Sequence, residues 1–193
     1  QKKGVHICES YFIETTEKSS LQELATKHQL KEFVLKPCIS GGGRHTYRIN
    51  PQNIPDHEAI FKKLIATEAL ILQPFQHNIV KKGEISLILI NGKFTHAVLK
   101  IAKKGDFRVQ DDFGGSVHNY TPTQPEINFA EKAIKACDEL PIYARVDVFT
   151  DNNNNLALAE LELIEPELWF RNNPKAADEL AKEIHKLINQ KAV

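Results

Sequence analysis

The sequence predicts an α+β protein of two units, each built on mainly antiparallel strands with helices packed against them. Three observations predict this. Asn91-Gly92 lies between two alternating apolar runs, the strongest short-range signal of a β-hairpin. A second hairpin follows near the C-terminus, where residues 141–150 and 156–164 flank Asp151 and four asparagines. A Pro-containing connector at Gln73–Gln76 separates a small strand–loop–strand–helix–strand unit from a larger one.

The elements are justified in order. Residues 4–13 form a short apolar stretch. Residues 16–28 read as a helix, with a Thr/Ser-rich start and Leu21, Leu24 and Ala25 at helical spacing. Residues 33–37 are a strand ended by Pro37, and residues 46–49 resume a strand, so the glycine loop between them tips a hairpin. Residues 56–66 have an acidic start and turn Ile60, Leu64 and Ile65 inward on a helix. Residues 69–75 are an apolar strand. Residues 84–101 are the Asn-Gly hairpin, 103–118 a Gly- and charge-rich loop, and 129–140 a helix. After the acidic hairpin, Asn173-Pro174 opens a final helix. It carries Ala177, Leu180, Ala181, Ile184, Leu187 and Ile188 on one stripe.

Composition bounds the function. A chain of 193 residues with 41% hydrophobic and 26% charged content matches a soluble globular protein. Lys+Arg and Asp+Glu both number 25, which argues against a nucleic-acid binder relying on bulk positive charge but not against a local basic site. Cys8, Cys38 and Cys137 are widely spaced and form no CxxC pair, which points to a reducing compartment, the cytoplasm by default. No apolar run approaches a membrane span.

The acidic hairpin carries the chemistry. With the turn centred on Asn153-Asn154, Asp147 falls opposite Glu160 and Arg145 opposite Glu162. Period-2 geometry puts these four charges on one face. Ile142, Ala144, Val146, Val148, Ala159, Leu161 and Leu163 take the other. Opposed side chains sit about 5 Å apart, so the three carboxylates repel unless a cation joins them. Removing one is then expected to leave the metal-free protein as stable as before or slightly more so. Oxygen-only ligands favour Mg²⁺ or Mn²⁺ over zinc. The ordinary alternative is a solvated outer face. Two further loops bear on the choice. Ser40, Gly41, Gly42 and Gly43 offer backbone amides suited to phosphate oxygens, though a plain flexible turn has the same composition. Lys36, at the end of the preceding strand, can reach the same phosphates. Arg108 sits in the loop closed by Gly114-Gly115, where it is either a phosphoryl partner or part of a solvated charged surface.

The motifs occur in a diagnostic order: Val34-Leu-Lys-Pro37 with Ser40-Gly-Gly-Gly43, Leu72-Gln-Pro-Phe75, Asp106-Phe-Arg108 with Gly114-Gly115, Ala144-Arg-Val-Asp147, and Glu160-Leu-Glu162. This series resembles the ATP-grasp fold over essentially the whole chain. The likeness is greatest to ligases of the glutathione-synthetase, D-alanine–D-alanine-ligase and ribosomal-protein glutamate-ligase type. The resemblance implies two α+β lobes that clamp ATP. Residues 15–72 would form the small lobe, a lid, and residues 73–193 the large lobe with a Mg-binding hairpin. Residues 1–14 would join them to a preceding domain, with the chain starting at a helix-to-strand joint around Gly4. It implies that Lys36 and the loop Ser40, Gly41, Gly42, Gly43 contact the nucleotide phosphates. Gln73, Pro74 and Phe75 would line the adenine slot, Arg108 and Arg145 face the transferred phosphoryl group, and Asp147, Glu160 and Glu162 hold Mg²⁺ (or Mn²⁺). Many relatives carry Asn where Glu162 stands; Glu keeps an oxygen ligand and adds a charge.

The function so implied is the ATP-binding portion of an ATP- and Mg-dependent ligase. It joins a small-molecule carboxylate to an amine or thiol acceptor through an acyl-phosphate, and the fragment alone is expected to be inactive. No nucleic-acid or membrane partner is expected, and a homodimer is left open. A small-molecule kinase or a non-catalytic nucleotide-binding module would use the same clamp.

Overall fold

The computed structural model describes residues 1–103, 105–109 and 114–191. Lys104 and residues 110–113 of the charged loop lie outside them. The chain divides into two compact units, Cys8–Gln76 and a second made of Gln1–Ile7 with His77–Val193.

The smaller unit holds β1 (Tyr11–Ile13), α1 (Leu21–Lys27), β2 (Phe33–Pro37), β3 (Tyr47–Ile49), α2 (Ile54–Ile65) and β4 (Leu70–Pro74). Its antiparallel sheet has the order β1-β4-β2-β3. Alternate residues of these strands, including Phe33, Leu35, Ile49, Leu70 and Leu72, pack with Leu21, Leu24 and Phe61 of the helices in one core. Each large side chain removed from water there contributes roughly 1.5–3 kcal/mol. Helix α1 begins at Leu21, later than the sequence suggests, because Ser20 and Glu23 form a reciprocal capping box. β1, within the stretch expected to be a joint, is the edge strand of this sheet.

The larger unit holds α3 (His77–Lys82), β5 (Glu84–Ile90), β6 (Lys93–Ile101), β7 (Ser116–Tyr120), α4 (Gln124–Lys135), β8 (Tyr143–Thr150), β9 (Leu156–Glu162) and α5 (Pro174–Lys191). The sheet order is β7-β6-β5-β8-β9, antiparallel throughout. At the β9 edge, the Leu158 amide donates to the His6 carbonyl.

One face of this sheet is a core. Ile85, Leu87, Leu89, Ala97, Ala144, Val146 and Val148 meet Ala130, Ala133 and Ile134 of α4. On the other face Ile88 and Val98 meet Leu168, Trp169 and, from α5, Leu180. Three details differ from the sequence reading. α4 starts at Gln124, since Thr123 and Glu126 form a capping box. Residues 116–120, expected in a loop, pair with β6 as β7. The stripe expected along α5 is only partly buried, and Ile184, Leu187 and Ile188 are exposed.

Two single-residue bulges set the registers. The Asn91-Gly92 turn pairs Ile90 with Lys93, but Thr95 is bulged out, and beyond it Glu84 pairs with Lys100. The Thr95 hydroxyl donates to the Ile88 carbonyl and steadies the bulge. In the acidic hairpin the connection is the loop 151–155. Asp151 Oδ1 accepts the amides of Asn153 and Asn155, and Asn154 takes φ 65°. This loop pairs Thr150 with Leu156. Ala159 is then bulged, and Asp147 pairs with Glu160 and Arg145 with Glu162. The pairing at the four charges is the one expected. Ala159 is not on the core face as expected; Leu156 and Leu158 pack against that core instead.

Candidate functional site

The sheet face of the larger unit opposite α4 carries a charge cluster. β8 contributes Arg145 and Asp147, β9 contributes Glu160 and Glu162, β5 contributes Glu84 and β6 contributes Lys100. Asp147 is fully buried; Glu84, Lys100 and Arg145 are nearly so. The expectation that the three carboxylates repel unless a metal joins them is corrected in part: Asp147 is held between two protein cations, while Glu160 still feels the charges of Asp147 and Glu162. Lys100 Nζ donates to Asp147 Oδ2 at 2.9 Å and pairs with Glu84 at 2.5 Å. Arg145 Nε lies 3.1 Å from Asp147 Oδ1, and the guanidinium also pairs with Glu162 and approaches Glu160 at 3.9 Å. Two positive and four negative side chains leave the cluster two formal negative charges in excess when all are ionised. One oxygen each from Asp147, Glu160 and Glu162 lies within 4.8 Å of the others. That is an oxygen-only donor set suited to a hard divalent cation.

Trp169 covers this cluster. Its ring lies 5.2 Å from the Arg145 guanidinium carbon and 6.0 Å from Lys100 Nζ. It is buried and takes φ 46°, a left-handed conformation rare for a bulky residue and costing roughly 1–2 kcal/mol. It packs in one cluster with Leu180 of α5, and it also shields the charges from water. Its Nε1 and the Ser86 hydroxyl on the same sheet face are buried without a hydrogen-bond partner among the described residues.

Burial sets the ionisation of the cluster. Burial pushes the Glu84 carboxyl up to about 7 against the attraction of Lys100. Burial also opposes charge on Lys100, but Glu84 and Asp147 outweigh it and hold the ammonium above its usual range. Arg145 is likewise held charged by Asp147 and Glu162 against burial. The Glu160 carboxyl is pushed up by loss of surrounding water, by its contact with Glu162 and by the Asp147 charge.

A prediction follows from Glu84. Its folded value lies above the unfolded 4.5, so its contribution to stability is complete below 4.5 and is lost as pH rises through about 7. The neutral Glu84→Gln variant does not titrate. Its melting temperature should therefore gain on the wild type by several degrees between about pH 5 and about pH 8. A constant difference across that range would mean that Lys100 keeps Glu84 ionised throughout.

The other sequence-predicted residues are placed as follows. Arg108 pairs with Asp106 of its own loop at 2.8 Å, and Asp106 Oδ1 also accepts the amides of Phe107 and Arg108. In the smaller unit, Lys36 pairs with Ile71 and Gln73 with Val34, which sets Lys36 and Gln73 on the sheet face away from the core. Gln73 Nε2 donates to Ser10 Oγ at 2.7 Å. Pro74 ends β4. Phe75 is buried beneath Arg48, whose guanidinium carbon lies 3.9 Å from the ring centroid. Ser40 Oγ donates to the Arg44 carbonyl. Gly42 and Gly43 adopt φ 56° and 66°, and a side chain at Gly41 or Gly42 would meet open space. Arg44, next in the chain, forms a paired contact with Glu68.

Sequence reasoning missed Lys100, Glu84 and the covering role of Trp169. The signal for the first two was Glu84 at the start of the Asn-Gly hairpin and Lys100 at its end. A bulge-free register would have put them on opposite faces.

Comparisons with known proteins agree with this architecture. The family described as prokaryotic glutathione synthetase, ATP-grasp domain, matches residues 7–157, a span that includes Arg145 and Asp147 but stops before Glu160. Glutathione synthetase of Bradyrhizobium diazoefficiens is 32% identical over 98 residues, covering 49% of this chain and 31% of that protein. The crystal structure of the D-cycloserine synthetase DcsG superposes with TM-score 0.79 at 21% identity, covering 96% of this chain and 66% of that one. D-alanine–D-alanine ligase of Bacillus anthracis superposes with TM-score 0.66 at 14% identity, covering 97% and 62%. The chain thus spans less than two thirds of the length of each of these relatives. On the match across residues 7–157, the chain belongs to the prokaryotic glutathione synthetase ATP-grasp family, within the ATP-grasp ligase superfamily.

Proposed function

We propose that this chain is the ATP-binding portion of an ATP-dependent ligase using Mg²⁺ or Mn²⁺. The enzyme joins a small-molecule carboxylate to an amine or thiol through an acyl-phosphate. The observation that carries this reading is the trio Asp147, Glu160 and Glu162, offering three oxygens within 4.8 Å beside the Arg145 guanidinium. Family membership supports the use of ATP.

Asp147, Glu160 and Glu162 hold the cation, which supplies charge compensation to the nucleotide phosphates and the transferring group. Arg145 and Arg108 stabilise the phosphoryl oxygens during transfer. Lys36 and the backbone of Ser40, Gly41, Gly42 and Gly43 bind phosphate oxygens, and Gln73, Pro74 and Phe75 serve the adenine. An oxygen of the substrate carboxylate attacks the γ-phosphorus, and the bond to ADP breaks. The acceptor nitrogen or sulfur then attacks the acyl carbon; inorganic phosphate leaves with the C–O electron pair, and the acceptor releases its proton. No protein nucleophile is required. Leu168 and Trp169 keep water from the buried charges, which strengthens their action.

Thermal melting tests the binding step. ATP with Mg²⁺ at about a hundred times its Kd should stabilise the chain by about 2.7 kcal/mol, a rise of roughly 5–11 °C. ATP with chelator should give much less. Absence of any Mg·ATP shift would sink the reading. With turnover, an amide or thioester product supports it, and a phosphorylated alcohol would identify a kinase instead.

A further inference from the structure

We propose that Lys100 is the positioning residue of the metal site: it fixes the Asp147 carboxylate so that Oδ1 is the oxygen offered to the cation. The inference rests on the metal reading of Asp147, Glu160 and Glu162 given above.

The geometry assigns the two oxygens different duties. A carboxylate has about four lone-pair sites, two on each oxygen. Oδ2 receives Lys100 Nζ at 2.9 Å and an Arg145 terminal nitrogen at 3.1 Å, so both its sites are used. Among the described residues, Oδ1 receives only Arg145 Nε, at 3.1 Å, a hydrogen shared with Oδ2 at 3.2 Å. Oδ1 therefore keeps a site for a further ligand.

Lys100 is itself held. It stands on β6, directly opposite Glu84 on β5, and its ammonium pairs with Glu84. β5 lies between β6 and β8, and Ser86 of β5 is the residue opposite Asp147. Lys100 therefore reaches across a whole strand, over the small Ser86, to touch Asp147. A long unbranched side chain can span this gap of two strand spacings, roughly 10 Å, with Asp147 reaching back.

Stability alone does not account for the arrangement. Burying charges costs several kcal/mol per ion, and apolar replacements of similar volume are often as stable or more so. A fixed orientation for a ligand carboxylate does account for it, because groups behind a metal ligand set its aim.

Electrostatics and positioning predict opposite signs when Lys100 is removed. Loss of a positive charge beside the site should tighten a cation, whereas loss of the orienting bond should weaken it. Mn²⁺ alone is the probe, its binding read by its paramagnetic resonance signal and by quenching of Trp169, the one tryptophan of the chain. Lys100→Met should weaken Mn²⁺ binding by about ten- to hundredfold, the range for groups that orient ligands. Lys100→Arg, which can still reach Asp147, should recover most of the affinity. Lys100→Met leaves Glu84 buried without its partner, so the same substitution is also made in a Glu84→Gln chain and compared with Glu84→Gln alone, where the same loss is expected. Unchanged or tighter Mn²⁺ binding on removal of Lys100 overturns the proposal while leaving the metal site intact. Failure of the wild-type chain to bind Mn²⁺ through Asp147 overturns the metal reading itself.

Discussion

Asp147→Asn should be among the most damaging single substitutions in this chain, even with no metal or nucleotide present. Asp147 is fully buried and is the shared partner of Lys100 and Arg145. Asparagine fits the space but cannot balance either cation. Breaking a buried ion pair from one side costs about 3–5 kcal/mol. For a chain of this size, 3 kcal/mol corresponds to a fall in melting temperature of roughly 6–12 °C. The variant should also lose any stabilisation by Mg·ATP. Glu160→Gln is the control: that side chain is 51% exposed and 3.9 Å from Arg145, so its melting temperature should change little while metal affinity falls. An Asp147→Asn melt matching wild type would show that Lys100 and Arg145 do not depend on Asp147 for their balance. The sequence alone led to the opposite expectation, because it supplied three carboxylates and only one cation.

In the full-length enzyme, Arg145→Lys should reduce turnover by an order of magnitude or more, a barrier increase of roughly 1.4 kcal/mol. Arg145 sits among the three candidate metal ligands and lies over Trp169. Lysine keeps the charge but loses the planar fork that touches Asp147 and Glu162 together. A purely structural Arg145 would lower the melting temperature and leave kcat near wild type once folded protein is compared. A group acting on the transferred phosphoryl lowers kcat more than it changes KM for ATP, because its interaction strengthens in the transition state. Retained kcat would remove Arg145 from the catalytic set and leave Arg108 as the candidate. Arg108 pairs with Asp106 of its own loop, and both side chains are part-buried.

Much of the chain was legible from local pattern. Phe33–Pro37, Glu84–Ile90 and the start of the last helix at Pro174 stand where alternation, the Asn-Gly turn and Asn-Pro punctuation put them. Capping boxes moved the starts of α1 and α4. Each box is legible as Ser20-x-x-Glu23 and Thr123-x-x-Glu126, but choosing among several polar starts needs the hydrogen bonds. β7 escaped because its five residues gain their strand character from pairing with β6 and not from their own composition.

The sequence by itself determined that two antiparallel α+β units would form and that Arg145, Asp147, Glu160 and Glu162 would share a face. A period of two along each arm and an Asp/Asn-rich connection are local properties. Only the tertiary structure decided what that face meets. The Thr95 bulge turns Lys100 onto the side of Glu84 and Asp147, and the Ala159 bulge restores the carboxylate pairing that the loop 151–155 would have shifted. Trp169 then covers the result. One extra residue in a strand reverses every side chain beyond it. A bulge leaves no mark in composition or periodicity, because its position is chosen by how both faces of the finished sheet pack.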